Sequence, residues 1–162
     1  MSDPVLLKPE PLTAAAFAPF GEVIETAGTA PRIINQGFAK RFNDLCKVDV
    51  ADEGGAVNVS LFTAEPRPRP IAIKLMERHP EGSQAFIPMQ NEDWLVLVCA
   101  EPRDAVSYRL FSATGTQGVN YAKNVWHHPL LVFSASHFLV IDRKGPGANL
   151  EEVWLEQALA IA

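Results

Sequence analysis

Short apolar runs separated by turn sequences set the strongest limit on what this chain can fold into. Residues 56–63 alternate apolar and polar side chains, as a half-buried strand does, whereas residues 94–100 are continuously apolar, as a strand buried on both faces is. Turn sequences such as residues 52–55 and 144–147 separate these runs. Helical periodicity is confined to residues 14–18 and the C-terminus. The pattern predicts an all-β barrel or sandwich with one or two short helices.

Length and composition are those of one globular domain. The chain has 162 residues, of which 48% are hydrophobic and 20% charged, so it can bury a core without disulfides or metal. No linker divides it, and residues 1–162 are predicted to form a single domain. A net charge of −5 without a basic stripe argues against nucleic acid or an anionic membrane as partner. Residues 94–100, the longest apolar run, are too few to cross a bilayer.

The cysteines help to predict the cellular compartment of the protein. Cys46 and Cys99 are far apart in sequence and form no CxxC motif, and Cys99 lies in an apolar run where a buried free thiol is expected. The N-terminus shows no signal-peptide pattern. Together these features predict a cytoplasmic protein.

Several local elements can be predicted from capping and turn residues. Thr13 is expected to cap the helix at residues 14–18. Gln36 and Gly37 form a plausible turn between two short strands. Residues 65–70, Glu-Pro-Arg-Pro-Arg-Pro, are interpreted as a surface connection rather than a recognition motif. Residues 151–155 are expected to form a last strand or to begin a short helix.

Side chains that can act as acids, bases or metal ligands concentrate in residues 77–89. On an extended backbone Glu77 and His79 share one face, and Arg78 points to the other. After a turn, Gln84 begins a second strand. One hairpin-like unit can therefore bring a carboxylate, an imidazole and an amide together.

Residues 118–130 form a second such segment. It contains Asn120, Tyr121 and Lys123, followed by the adjacent pair His127 and His128. If this segment is extended, the two imidazoles face opposite sides, and only one of them easily enters a pocket.

These two segments resemble the signature segments of the ureidoglycolate lyase family. The shared words are Glu-Arg-His-Pro, Gln-Ala-Phe-Ile-Pro, Gly-Val-Asn-Tyr and Asn-Val-Trp-His-His-Pro-Leu, and the likeness includes residues 20–25 and 138–143. The resemblance implies cleavage of (S)-ureidoglycolate to glyoxylate and urea in allantoin degradation, a part of purine metabolism and nitrogen utilisation. It also implies a single cupin-like β-barrel or jelly-roll domain that forms a homodimer.

The resemblance to cupins suggests a ligand set. Cupins usually place His-x-His and then Glu on one pair of strands, with a further His later. The residues at these positions are Glu77, His79, Gln84 and His127. Two of the four differ from the cupin set, and the resulting set is not one that a borderline metal such as zinc usually takes. Two imidazoles and a carboxylate can still bind a divalent metal, and the family implies nickel. The same analogy places His127, rather than His128, in the pocket.

The implied reaction assigns roles to these side chains. Loss of urea needs a base for the hydroxyl proton and an acid for the departing nitrogen. Imidazoles titrate near neutrality, which suits His79 and His127 to this work, while Glu77 can orient His79 or act as the base. Because no water attacks the carbon, this elimination needs no metal-bound hydroxide.

Substrate contacts are predicted from the remaining polar residues. Gln84, Asn120 and Tyr121 can hydrogen-bond the ureido oxygen or the carboxylate. A basic residue is expected to hold the carboxylate, and Arg78 lies on the wrong face if its strand is regular. The basic candidates are Arg78, Lys123, Arg41 and Arg143.

Two other functions remain open from the sequence. One is a metal-dependent cupin hydrolase that releases ammonia from a ureido acid. The other is a small-molecule-binding barrel without catalysis.

Overall fold

Strands are the main regular element of the structure, a computed structural model that describes residues 2–162. The strands of this region are β1 (Val5–Leu7), β2 (Pro9–Pro11), β3 (Gly21–Ile24), β4 (Arg32–Ile34), β5 (Ala39–Arg41), β6 (Ala56–Ala64), β7 (Ile71–Arg78), β8 (Gln84–Pro88), β9 (Trp94–Cys99), β10 (Tyr108–Ala113), β11 (Gly118–Tyr121), β12 (Trp126–His127), β13 (Leu131–Val132), β14 (Ser136–Lys144) and β15 (Glu151–Ile161). The α-helix α1 spans Ala14–Phe17, and 3-10 turns lie at Asn35–Gly37, Asp52–Gly54 and Ala105–Ser107. The all-β prediction is confirmed.

The strands form two main sheets and one hairpin. The large sheet has the order β1-β15-β7-β12-β9-β10-β2, with β13 also paired to β9. The small sheet has the order β3-β11-β8-β14-β6, and β4 pairs with β5 alone. Within residues 2–162, no helix is long and apolar enough to cross a membrane.

The core is built on both faces of β9. Trp94, Val96 and Val98 pack into a cluster with buried residues of the small sheet, such as Phe138. The alternate residues of β9 pack into a second cluster that includes Leu159. The continuously apolar run therefore forms a strand of the large sheet that is buried on both faces, as predicted.

The local elements follow the capping and turn residues. Thr13 caps α1, since its hydroxyl accepts a hydrogen bond from the Ala16 backbone at 3.1 Å, and Phe17 is fully buried. The turn at Gln36 and Gly37 joins β4 and β5, as predicted. The C-terminal segment forms β15, so the helical alternative there was wrong. Pairing with β7 along most of its length favours the extended backbone.

Strand pairing places the chemically important residues. Strand β12 lies between β7 and β9, and His127 is the direct partner of Glu77 in the large sheet. In the small sheet, Tyr121 of β11 is the partner of Gln84 of β8. These two pairs face each other across the interior, where the site forms.

Candidate active site

Glu77, His79 and His127 come together at one point. Their ligand atoms all lie within 4.8 Å of one another. The Nε2 atom of His127 is 3.6 Å from a carboxylate oxygen of Glu77, and the rings of His79 and His127 are 5.2 Å apart at their centroids. The end of β7 supplies the first two residues and β12 the third, so the sheet itself fixes the cluster.

Backbone carbonyls orient both imidazoles. Nδ1 of His79 donates to the carbonyl of Asn149 at 2.8 Å, and Nδ1 of His127 donates to the carbonyl of Val125 at 3.0 Å. Since a carbonyl only accepts, each Nδ1 carries the proton, and each Nε2 of a neutral ring carries a lone pair. Both Nε2 atoms are buried without a hydrogen-bond partner among the described residues.

Glu77 is held in its charged form by its neighbours. Burial on its own raises the pKa of this carboxyl, but contact with His127 and the positive charge of the nearby imidazoles outweigh it and lower the pKa below its ordinary value. A carboxylate oxygen and an unprotonated ring nitrogen repel each other in a buried site. A proton or a cation placed among the three side chains would relieve this repulsion.

The same three side chains fit a divalent metal. Two imidazole Nε2 atoms and one carboxylate converge, and the carbonyls on Nδ1 fix the ring orientation, as in metal-binding histidines. Gln84, the fourth predicted ligand, instead donates from its amide nitrogen to Asp142 at 3.2 Å. Its amide oxygen is buried without a hydrogen-bond partner in the region described.

Tyr121 packs flat against His127. The two rings are stacked at 4.2 Å with an interplanar angle of 9°. Burial, and then the charge of Glu77, raise the pKa of Tyr121 well above its ordinary value, so its hydroxyl is neutral and can donate. Tyr121 both braces the imidazole and adds a donor beside the cluster.

A cavity of about 320 Å³ opens next to this cluster. Of the predicted site residues, Glu77 and Gln84 line it, and the two imidazoles lie behind Glu77. The lining residues are Phe62, Thr63, Ala64, Glu65, Arg67, Glu77, Gln84, Phe86, Pro129 and Leu130. A small molecule in the cavity therefore meets the Glu77 carboxylate first.

Asn120 lies away from the cavity. It precedes Tyr121 in β11, and alternation along the strand turns it to the opposite face of the small sheet. Its amide nitrogen donates to Glu22 at 3.1 Å and to the carbonyl of Lys47 at 2.8 Å. Asn120 thus fastens the segment around Lys47 to the sheet, and its predicted contact with substrate stays a prediction.

The predicted basic residues are also engaged elsewhere. Arg78 binds Glu151 at 2.6 Å and stacks on Trp126, on the face of β7 opposite Glu77. Lys123 pairs with Asp52 and Asp49. Neither residue lines the cavity, so a contact of Arg78 or Lys123 with a substrate carboxylate stays a prediction that this arrangement does not favour.

The other two basic candidates are likewise outside the cavity lining. Buried Arg143 contacts Glu81 at 3.2 Å and donates to the carbonyls of Asp52 and Glu53, so it holds loops together. Arg41 ends β5 of the separate hairpin.

His128 faces away from His127. Its Nδ1 donates to the carbonyl of Pro129 at 2.7 Å, and its ring lines a neighbouring groove with Lys74 and Trp154. Burial is the main cause that lowers the pKa of His128 to about 4, so this imidazole is neutral near pH 7. The structure thus places His127, and not His128, in the cluster.

Arg67 is a cavity residue that the sequence did not reveal. Residues 65–70 have the composition of a surface connection, and nothing in that local pattern indicates a site. Only the tertiary fold brings the segment beside Glu77 and Gln84.

The fold and site together define a class: a barrel-like β-protein with an interior carboxylate–imidazole cluster beside a small cavity. The family model described as ureidoglycolate lyase matches residues 4–162. The chain therefore belongs to the ureidoglycolate lyase family, which confirms the resemblance of its signature segments.

Individual relatives support this assignment. The ureidoglycolate lyase of Burkholderia mallei (strain NCTC 10229) is 53% identical over 152 residues, covering 93% of this chain and 89% of the relative. Ureidoglycolate lyase 1 of Rhizobium meliloti (strain 1021) is 49% identical over 158 residues, covering 96% of this chain and 93% of the relative.

A solved structure of oxalate decarboxylase is similar with a TM-score of 0.39 and 13% identity, covering 60% of this chain and 23% of that one.

Proposed function

We propose that this protein is a ureidoglycolate lyase that cleaves (S)-ureidoglycolate to glyoxylate and urea in allantoin degradation. Family membership over nearly the whole chain supports the substrate. The observation that carries the mechanism is the position of Glu77, whose carboxylate lines the cavity and contacts the buried imidazole of His127.

The reaction moves one proton within the substrate. The hydroxyl on the central carbon loses its proton as the carbonyl of glyoxylate forms, and the electron pair of the breaking carbon–nitrogen bond stays on the ureido nitrogen. That nitrogen takes up a proton and leaves as urea. No water enters, so the protein must supply a base and an acid close to the same carbon.

Glu77 is the base in this proposal. Its lowered pKa keeps it ionised at neutral pH, and it is the member of the cluster that reaches the cavity. His127 is the acid of this step: its Nε2 atom lies 3.6 Å from the Glu77 carboxylate and passes its proton through that carboxyl to the departing nitrogen. Glu77 then takes the hydroxyl proton and returns it to His127, so the pair ends as it began. His79 lies beside His127 and is one of the imidazoles that lower the pKa of Glu77.

Two further groups suit the ureido end of the substrate. The Gln84 amide is oriented by its bond to Asp142, which leaves the amide oxygen as an acceptor for a ureido N–H. The neutral hydroxyl of Tyr121 is a donor for a substrate oxygen. A divalent metal such as nickel, if held by Glu77, His79 and His127, would be an alternative to the proton on His127 and would supply Lewis-acid polarisation of an oxygen ligand.

The protein is further proposed to act as a homodimer in the cytoplasm. Cys46 and Cys99 are both free thiols, as expected in a reducing compartment. Val57, Val59 and Leu61 project from β6 with 52%, 63% and 67% of their surface exposed. An apolar row on an edge strand suits contact with a second copy, and analytical ultracentrifugation tests this.

A product assay tests the function. Purified protein is incubated with (S)-ureidoglycolate, with and without chelator, and urea, ammonia and glyoxylate are measured. Urea and glyoxylate in equal amounts are expected. Ammonia in place of urea, abolished by chelator, would instead support the metal-dependent hydrolase, which the three converging ligands make the second candidate. Binding without turnover would support a non-catalytic barrel.

A further inference from the structure

We propose that Arg67 holds the carboxylate of the substrate at the mouth of the cavity. This inference rests on the proposed function, since it names the group that recognises the anionic end of ureidoglycolate. It adds a binding residue from a proline-rich segment to a site otherwise built on strands.

The charge around the cavity is unfavourable to an anion. Glu65 and Glu77 both line it, and the protein as a whole has a net charge of −5. An anionic substrate therefore needs a local positive group. Among the described residues that line the cavity, Arg67 is the single lysine or arginine.

The apolar wall of the cavity strengthens the attraction between Arg67 and a carboxylate. Phe62, Phe86, Pro129 and Leu130 line the same space. Because apolar side chains lower the local dielectric constant, a charge pair beside them is worth more than in open water. A guanidinium also matches a carboxylate with two parallel hydrogen bonds.

Arg67 is available for such a contact. No hydrogen bond or ion pair within residues 2–162 engages its guanidinium. The other basic candidates, Arg78, Lys123 and Arg143, are bound to carboxylates or carbonyls elsewhere. Its charge also reaches the interior, since it adds to the effect of burial in lowering the pKa of His128.

The segment around Arg67 limits how far it can move. Pro66, Pro68 and Pro70 alternate with Arg67 and Arg69. Each proline fixes its own φ and restricts the residue before it, so little backbone entropy remains to be lost when a ligand binds. Arg69 points elsewhere, with its guanidinium over the Phe133 ring at 5.0 Å and bound to the carbonyl of Ala162.

Steady-state kinetics and direct binding test the proposal together. For Arg67→Gln, KM for ureidoglycolate is expected to rise roughly 10- to 100-fold, with a much smaller change in kcat, as for loss of hydrogen bonds to a charged group. Arg67→Lys should restore part of the loss. Lys74→Gln is the matched control, because Lys74 lines the adjacent groove but not this cavity.

A binding experiment separates this inference from the proposed function. Chelator-treated protein is titrated by calorimetry with oxamate, which has a carboxylate, and with ethyl oxamate, in which that charge is removed. Arg67→Gln should weaken oxamate binding and leave the ester unaffected. Equal oxamate affinity in wild type and Arg67→Gln, or no oxamate binding by wild type, would overturn the role of Arg67. Absence of turnover with intact Arg67-dependent oxamate binding would reject only the lyase assignment.

Discussion

Glu77 and His127 are direct cross-strand partners, and His127 Nε2 lies 3.6 Å from the carboxylate of Glu77. The residues are fifty positions apart in sequence, and a strand of two residues brings them together. Glu77 faces a cavity while His127 is almost fully buried, so the pair connects the substrate space to the interior of the barrel.

Replacing Glu77 by Gln should remove the base while keeping the shape of the side chain. We expect kcat to fall by roughly 10²- to 10⁴-fold, the usual contribution of a general base. Glyoxylate release under steady-state conditions measures this. Glu151→Gln is the control, since Glu151 binds Arg78 on the opposite face of the sheet. A Glu77→Gln variant with near wild-type kcat would assign the base to another group.

Metal binding should depend on the three converging side chains. Chelator-stripped wild-type protein is expected to bind one equivalent of Ni²⁺ in calorimetry, and His79→Gln or His127→Gln should lose that binding. His137→Gln should bind like wild type, because His137 is exposed and outside the cluster. Unchanged Ni²⁺ affinity in both cluster variants would show that the ion binds elsewhere.

Two substitutions of Tyr121 should separate its ring from its hydroxyl. Tyr121→Phe keeps the stack on His127 and removes one neutral donor, so we expect KM to rise about 2- to 10-fold with little change in stability. Tyr121→Ala removes a buried aromatic ring, and the free energy of unfolding should fall by about 3–5 kcal/mol. Urea denaturation measures the second effect. If both variants unfold alike, the stacked ring does not stabilise the fold.

The two cysteines should differ in reactivity. Burial is the main cause that raises the pKa of Cys99 to about 12, and its side chain is 2% exposed. Almost no thiolate forms at pH 8, so Cys99 should react with a disulfide reagent only after unfolding. Cys46 is partly exposed and should react first in the native protein. Labelling rates of Cys46→Ser and Cys99→Ser, each retaining one thiol, check this directly, and rapid native labelling of Cys99 would contradict it.

The sequence by itself determined the fold class and much of the cluster. Alternation and short apolar runs are local properties, and they predicted the strands, the Thr13 cap and the burial of β9 on both faces. Alternation also placed Glu77 with His79 and separated both from Arg78, because successive side chains of a strand point to opposite faces. The signature segments predicted the family.

Only the tertiary structure decided which of the remaining polar residues share the site. Asn120 and Lys123 lie in the right segment but bind partners on other surfaces, which local spacing does not reveal. Arg67 lies in a segment with the composition of a loop, yet folding lays it beside Glu77. The physical reason is that strand register and loop placement depend on contacts between residues distant in sequence, whereas periodicity reports only which face of its own strand a residue occupies.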